Sequence, residues 1–151
     1  MIQLKALTAY LLDRQLVMPE QLDSWSDQVN LELLWRESER GLHMSNMRYR
    51  AVLELERFNG SPARLMALVG SWLETHDPDR DQHHLPAPTF AIEPLDLGHD
   101  LFDVELVLEF VEPQYLAEDP DGEIEAFDKT WSLIPFDLWI AEQGEVVSHG
   151  A

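Results

Sequence analysis

The 151-residue chain contains no cysteine. Disulfides, thiol nucleophiles and thiolate metal sites are therefore excluded. Positive charge is also scarce: Lys and Arg total 10 against 29 Asp and Glu, for a net charge of -19. The deficit is uneven, with 8 basic and 10 acidic residues in 1–75 but 2 and 19 in 76–151. A second half charged in this way repels DNA phosphates and anionic lipid, which argues against sequence-reading of nucleic acid and against binding to a membrane surface. The simplest meaning of the excess is solubility. The sharper one is a surface that stays close to DNA without adhering to it. No apolar run approaches the roughly 20 residues that span a bilayer. The first residues, with one early Lys5 and no cleavage-site pattern, are not expected to form a signal peptide. GxGxxG, GxxxxGK[ST] and GxSxG motifs, heptads and internal repeats are all missing.

Apolar residues make up 45% of the chain, enough for a globular core, and the length suits a single domain over 1–151 with flexible loops near 76–88 and 113–128. Residues 46–76, NMRYRAVLELERFNGSPARLMALVGSWLETH, organise the rest. Met47, Tyr49, Ala51, Leu53 and Leu55 alternate with Arg48, Arg50, Glu54 and Glu56, so this piece is a strand with one buried face. Asn59-Gly60-Ser61-Pro62 breaks the alternation. Ser61 is suited to accept from the first free amides of a helix, and Pro62 to occupy its first position. Leu65, Met66, Val69, Trp72 and Leu73 then recur at helical spacing and predict one apolar stripe.

Around this block, Leu4, Leu7, Leu11 and Leu12 predict an amphipathic helix over 4–12. Residues 21–28 read as a polar turn and 29–35 as a first strand, joined to the central strand by a loose loop over 37–43. Pro94 limits residues 89–97 to a short edge strand. Phe102, Val104, Leu106, Leu108 and Phe110 alternate with mostly acidic residues and give the clearest strand in the chain. Residues 112–128, with Pro113, Pro120 and Asp121-Gly122, read as a long loop. An apolar cluster follows at 131–140, with a turn at Gln143-Gly144 before Glu145-Val146-Val147. Helices and strands do not alternate regularly. The expected class is α+β, a mixed or mainly antiparallel sheet with helices packed on one face.

His76, Asp77, Asp79, Asp81, His83 and His84 place imidazoles and carboxylates in one short loop, the residue types that bind zinc and other divalent ions. Their spacing matches no helical ligand pair, and the flanking prolines supply no rigid outer shell. Asp77-Pro78-Asp79-Arg80-Asp81 lacks the glycine and the distant bidentate Glu of a calcium loop. A solvated loop is the simpler reading, with no metal, cofactor or catalytic residue expected. Arg48 and Arg50 stand on the outer side of the central strand in a chain short of cations. They either pair with local acids or meet the acidic half of a neighbouring copy in a head-to-tail contact. Trp131 and Trp139 lie among apolar residues and are candidate subunit-interface anchors.

The blocks YRAVLELERFNGSPARLMALVGSWLETHDPD and LFDVELVLEFVEP, the closing DLWIAEQGEV and the leucine-rich start LKALTAYLLD together resemble the tail completion protein R (GpR) family of temperate contractile-tailed phages. Tyr49-Arg50, Trp72-Leu73 and 102–111 carry the likeness, while 117–136 is longer and more hydrophobic than the family pattern. The resemblance implies a tail-terminator-like fold and a non-enzymatic, structural protein of a phage or prophage tail. It implies assembly in the host bacterial cytoplasm and a place in the virion tail. The implied partners are the tail tube and sheath proteins, other tail and head completion proteins, and further copies of the chain in a ring, with six copies expected by analogy with tail terminators. Two other readings fit the residues without the resemblance: an acidic, DNA-mimicking binder of a basic partner, and a metal-dependent hydrolase using the 76–84 loop.

Overall fold

The structure, a computed structural model, describes residues 1–95 and 100–134. In chain order the elements are α1 (Ile2–Asp13), β1 (Leu22–Ser38), β2 (Gly41–Phe58), α2 (Pro62–His76), β3 (Thr89–Pro94), β4 (Phe102–Glu118), β5 (Ile124–Ala126) and β6 (Lys129–Leu133). Among the described residues the strands run β1-β2-β4-β6-β5 across one sheet, and β3 pairs separately with β4. The β3–β4, β4–β6 and β5–β6 pairs are antiparallel, and the two residues between β1 and β2 allow only a hairpin. The class is the α+β one expected from the sequence.

The described chain forms two compact units. The first holds Met1, Gln3–Val29 and Arg48–Val111; the second holds Ile2, Asn30–Met47 and the residues from Glu112 onward. Strands β1, β2 and β4 contribute residues to both.

In the first unit, alternation is converted directly into a core. Tyr49, Ala51, Leu53 and Leu55 of β2 and Val104, Leu106, Leu108 and Phe110 of β4 are buried. Leu4, Leu7 and Leu11 of α1 and Leu65, Val69, Trp72 and Leu73 of α2 complete it. Both helices lie on one sheet face. The Leu4 amide of α1 donates to the Tyr49 hydroxyl at 3.2 Å. Trp72 of α2 meets Phe110 edge-on at 6.3 Å, and Phe110 in turn lies 5.8 Å from Tyr49. As expected, Ser61 caps α2, its hydroxyl accepting from the Arg64 amide at 3.3 Å, with Pro62 following. Met66 departs from the expected stripe and is exposed.

Alternation slips where a residue other than glycine takes a left-handed conformation inside a strand: Gln28, Trp35 and Arg57, at φ 54°, 50° and 54°. The Arg57 bulge turns Phe58 inward, to 1% exposure, and a Cβ at Gly60 would lie 2.7 Å from the Phe58 ring.

The second unit differs most from the sequence expectation. Residues 21–28 are not a turn, because β1 begins at Leu22, and the 37–43 loop contracts to Glu39-Arg40. The Ser38 hydroxyl closes that turn by accepting from the Arg40 amide at 3.2 Å and donating to the Gly41 carbonyl at 2.9 Å. Residues 112–128 are not one loop. β4 continues to Glu118, and β5 and β6 form a hairpin behind it. Pro113 is tolerated because β3 pairs with β4 at 102–107 and β6 pairs with it at 116–118, so the proline falls in the gap between them. The core here is small: Leu42, Leu116 and Trp131, with Trp35, Met44, Ile124 and Ala126 packed against it. Gly41 is required where it stands, because at φ 115° a Cβ would run into the Leu116 carbonyl oxygen.

Candidate functional site

Two surfaces and one loop hold the residues that the sequence singles out. The sheet face of the first unit that points away from the helices carries charge. The Arg48 guanidinium bonds Glu109 at 2.7 Å, and that of Arg50 bonds Asp27 through both carboxylate oxygens, at 2.9 and 3.2 Å. Both arginines thus pair with acids of their own chain, one across to β4 and one across to β1. These pairs are half-exposed and each contributes only about 0.2–1 kcal/mol. Further along the same face the charge is of one sign. Glu93 stands directly opposite Asp103 in the β3–β4 register. With Glu54, Glu56 and Glu105 they line an open depression of about 420 Å³. Like charges directly opposite each other destabilise a sheet. The Glu54 carboxyl is held above its ordinary range by desolvation, and then by the charges of Glu105, Asp23, Glu56 and Asp103.

The histidine-bearing loop does not converge on a point. The His76 ring stacks on Trp72 at 4.8 Å and its Nδ1 lies 3.1 Å from the Trp72 carbonyl oxygen. His83 ends a short 3-10 turn and is exposed, and His84 follows it at φ 56°. The organising contact is Arg80 to Asp77 at 2.7 Å, with 12% and 13% of the two side chains exposed. The Arg80 guanidinium lies 5.8 Å from the centre of the Phe110 ring and also reaches the Pro86 carbonyl oxygen at 3.4 Å. Desolvation pushes the Asp77 carboxyl up, and the bond and charge of Arg80 only partly offset it. Among the described residues no three His, Asp or Glu side chains are placed to hold a metal ion. The loop is a staple on the core of its unit.

The second unit corrects one expectation. Trp131 is not an open anchor: it is a core residue, 7% exposed, and its indole N–H donates to the Ala126 carbonyl at 2.8 Å. Trp139 lies outside the described residues, as does the expected turn at Gln143-Gly144. The large apolar side chains exposed in this unit are Leu31 and Leu33 on β1, and Phe127 and Leu133 on the β5–β6 hairpin, at 53%, 59%, 61% and 54% exposure, none of them singled out as a site residue by the sequence. Leu31 and Leu33 fall in the strand expected over 29–35. That β1 is an edge strand, with its apolar residues uncovered, follows only from the strand order. A buried carboxylate, Glu112, accepts from the Ile2 amide at 3.1 Å and so satisfies one free donor at the start of α1.

These are surfaces, and the depression lined by Glu54, Glu56, Glu93, Asp103 and Glu105 is open. No helix among them is long and apolar enough to cross a membrane. No solved structure matches the chain. The chain is 29% identical over 113 residues to an uncharacterized 19.2 kDa protein in the rep-hol intergenic region of Haemophilus phage HP1 (strain HP1c1), a match covering 73% of this chain and 67% of that protein. Residues 1–135 match the family described as P2 phage tail completion protein R (GpR). The likeness read from the central strand, the α2 helix and the β4 strand is therefore one of descent, and the chain belongs to the P2 phage tail completion protein R family.

Proposed function

We propose that this protein caps the tube and sheath of a contractile phage tail and prepares that end for head joining, acting as a ring of copies and without catalysis. The family match over residues 1–135 carries the reading. Two features support it. Arg48 and Arg50 of the outer face are each paired with an acid of their own chain. The same face carries Glu54, Glu56, Glu93, Asp103 and Glu105 together, at a cost to sheet stability that a surface beside a DNA path would justify, since repulsion keeps the genome from adhering.

The test is genetic and microscopic. In a lysogen lacking this gene, induction gives tails without joined heads, and the gene supplied in trans restores complete particles. Normal yields of joined particles without the gene would overturn the reading. Light scattering of the purified protein with and without tail tubes reads the ring directly, a monomer that assembles only on tubes being compatible with it. A second reading, an acidic binder of a basic partner, is favoured by the directly opposed Glu93 and Asp103. It predicts tight association with a DNA-binding protein that weakens steeply with salt, while head joining proceeds normally without the gene.

A further inference from the structure

The chain holds three asparagines, Asn30, Asn46 and Asn59. Asn30 lies within β1 and Asn46 within β2, followed by Leu31 and Met47. The Asn46 side chain is engaged at both ends: its Oδ1 lies 2.9 Å from His43 Nε2, and its Nδ2 donates to Glu32 at 3.4 Å. Asn59 stands in a different setting. It is exposed, lies between the end of β2 and the start of α2, and is followed by a glycine. Among the described residues no hydrogen bond holds its side chain or the Gly60 amide. Packing keeps residue 60 a glycine, because a Cβ there would lie 2.7 Å from the ring of Phe58, which is itself 1% exposed. The fold thus retains the one residue type that leaves the nitrogen after Asn59 unshielded by a side chain.

We propose that Asn59 of this protein is a site of spontaneous covalent modification, deamidating through a cyclic imide to aspartate and isoaspartate. The Gly60 nitrogen loses its proton to solvent hydroxide and attacks Cγ of Asn59. The bond from that nitrogen to Cγ forms, the Cγ–Nδ2 bond breaks, and Nδ2 leaves as ammonia. One water then opens the imide. Cleavage at Cγ gives aspartate, and cleavage at the Asn59 backbone carbonyl gives isoaspartate. No electrons are transferred, and solvent is the only co-reactant. Both products add a negative charge just ahead of α2, whose amino end tolerates it. Isoaspartate also adds one atom to the main chain between two fixed points. On one side is the buried Phe58. On the other is Ser61, whose hydroxyl caps α2 by accepting from the Arg64 amide at 3.3 Å. Isoaspartate is therefore the product that loosens the start of α2. The inference is independent of the tail-completion reading, because it uses only this chain's own residues and solvent.

The test uses the full-length protein, held near neutral and at raised pH, sampled over days and mapped by peptide mass spectrometry. Conversion at residue 59 is expected to run about tenfold faster than at Asn30 or Asn46, where a bulky side chain follows and a strand holds the backbone. It is also expected to quicken as pH rises, because the Gly60 nitrogen must lose its proton. Conversion at residue 59 no faster than at the other two, or indifferent to pH, would overturn the proposal. Ion exchange then separates the charge forms for a second measurement. The isoaspartate form is expected to melt below the parent, while Asn59→Asp melts within about 1 °C of it. An isoaspartate form that melts with the parent would defeat the assigned effect on α2. Asn59→Ser, held in the same way, is expected to keep a single charge form, and drift at the parent's rate would place the modification elsewhere and refute the site.

Discussion

The two units are built from the same three strands yet solve burial differently. The first holds nineteen of the twenty-two buried apolar side chains among the described residues, and the second holds only Leu42, Leu116 and Trp131. Apart from Ile2, both helices belong to the first unit, so its strands have a covered face. Apart from Ile2, the second has strands alone among its described residues; large apolar side chains stand exposed in both units, Leu31, Leu33, Phe127 and Leu133 in the second and Met18, Trp25 and Val29 among those in the first. Burial is the main source of stability, so the first unit is the part that specifies the fold. The second is the part with the smaller core.

This contrast can be broken in graded steps. The largest effect is expected from Phe110→Ala, which removes the ring shared by Tyr49 and Trp72. It should cost about 4–5 kcal/mol and lower the midpoint of thermal unfolding for the whole chain, as read by calorimetry. Trp131→Ala should cost less, about 3 kcal/mol, because fewer buried side chains surround it. The loss of amide protection should stay within the second unit; if it spreads equally through α2, the division between the units is wrong.

Gly41→Ala follows at about 2–3 kcal/mol, since it combines a disfavoured φ with a collision against the Leu116 carbonyl. Chemical denaturation measures it, and a neutral result would mean that the β1–β2 turn moves freely against β4. Arg80→Ala should cost about 1–2 kcal/mol at neutral pH, because Asp77 is left nearly buried and unpaired. The Asp77 pKa is already raised in the folded protein, so its protonated form is the better tolerated one. The deficit should shrink as pH falls through that raised value, and a constant deficit between pH 7 and pH 4 would refute this account.

The smallest effect is a gain. Glu54→Gln removes one charge from a crowded acidic face and should raise the melting temperature at pH 7 by about 1–2 °C. A carboxyl whose folded pKa is raised weakens the fold when it is ionised. The gain should therefore fade as acidification protonates Glu54 in the parent protein, and vanish below the ordinary glutamate range.

The first unit was largely legible in the sequence. Tyr49 through Leu55 and Val104 through Phe110 announced strands by period two, and Ser61-Pro62 announced the start of α2. Each signal is local, a matter of which side chains share a face within one element. The second unit was not. Pro113 read as the end of β4, whereas it sits where no strand pairs on that side. Leu31 and Leu33 read only as part of a first strand over 29–35, whereas they stand exposed on an edge strand. Trp131 read as a surface anchor because its neighbours in sequence are apolar, whereas its place in the core depends on Leu42 and Leu116, distant in the chain.

By itself, then, the sequence determined the class of fold, the capped helix, the acidic second half and the family likeness, because periodicity, capping chemistry and charge are properties of neighbouring residues. Only the tertiary structure decided which strand lies at the edge and which tryptophan is inside. It also decided that Arg48 and Arg50 are neutralised within the chain, and that the histidines disperse around an Arg80–Asp77 staple. Those outcomes depend on strand order and on pairings tens of residues apart, and no local pattern encodes what will be packed against it.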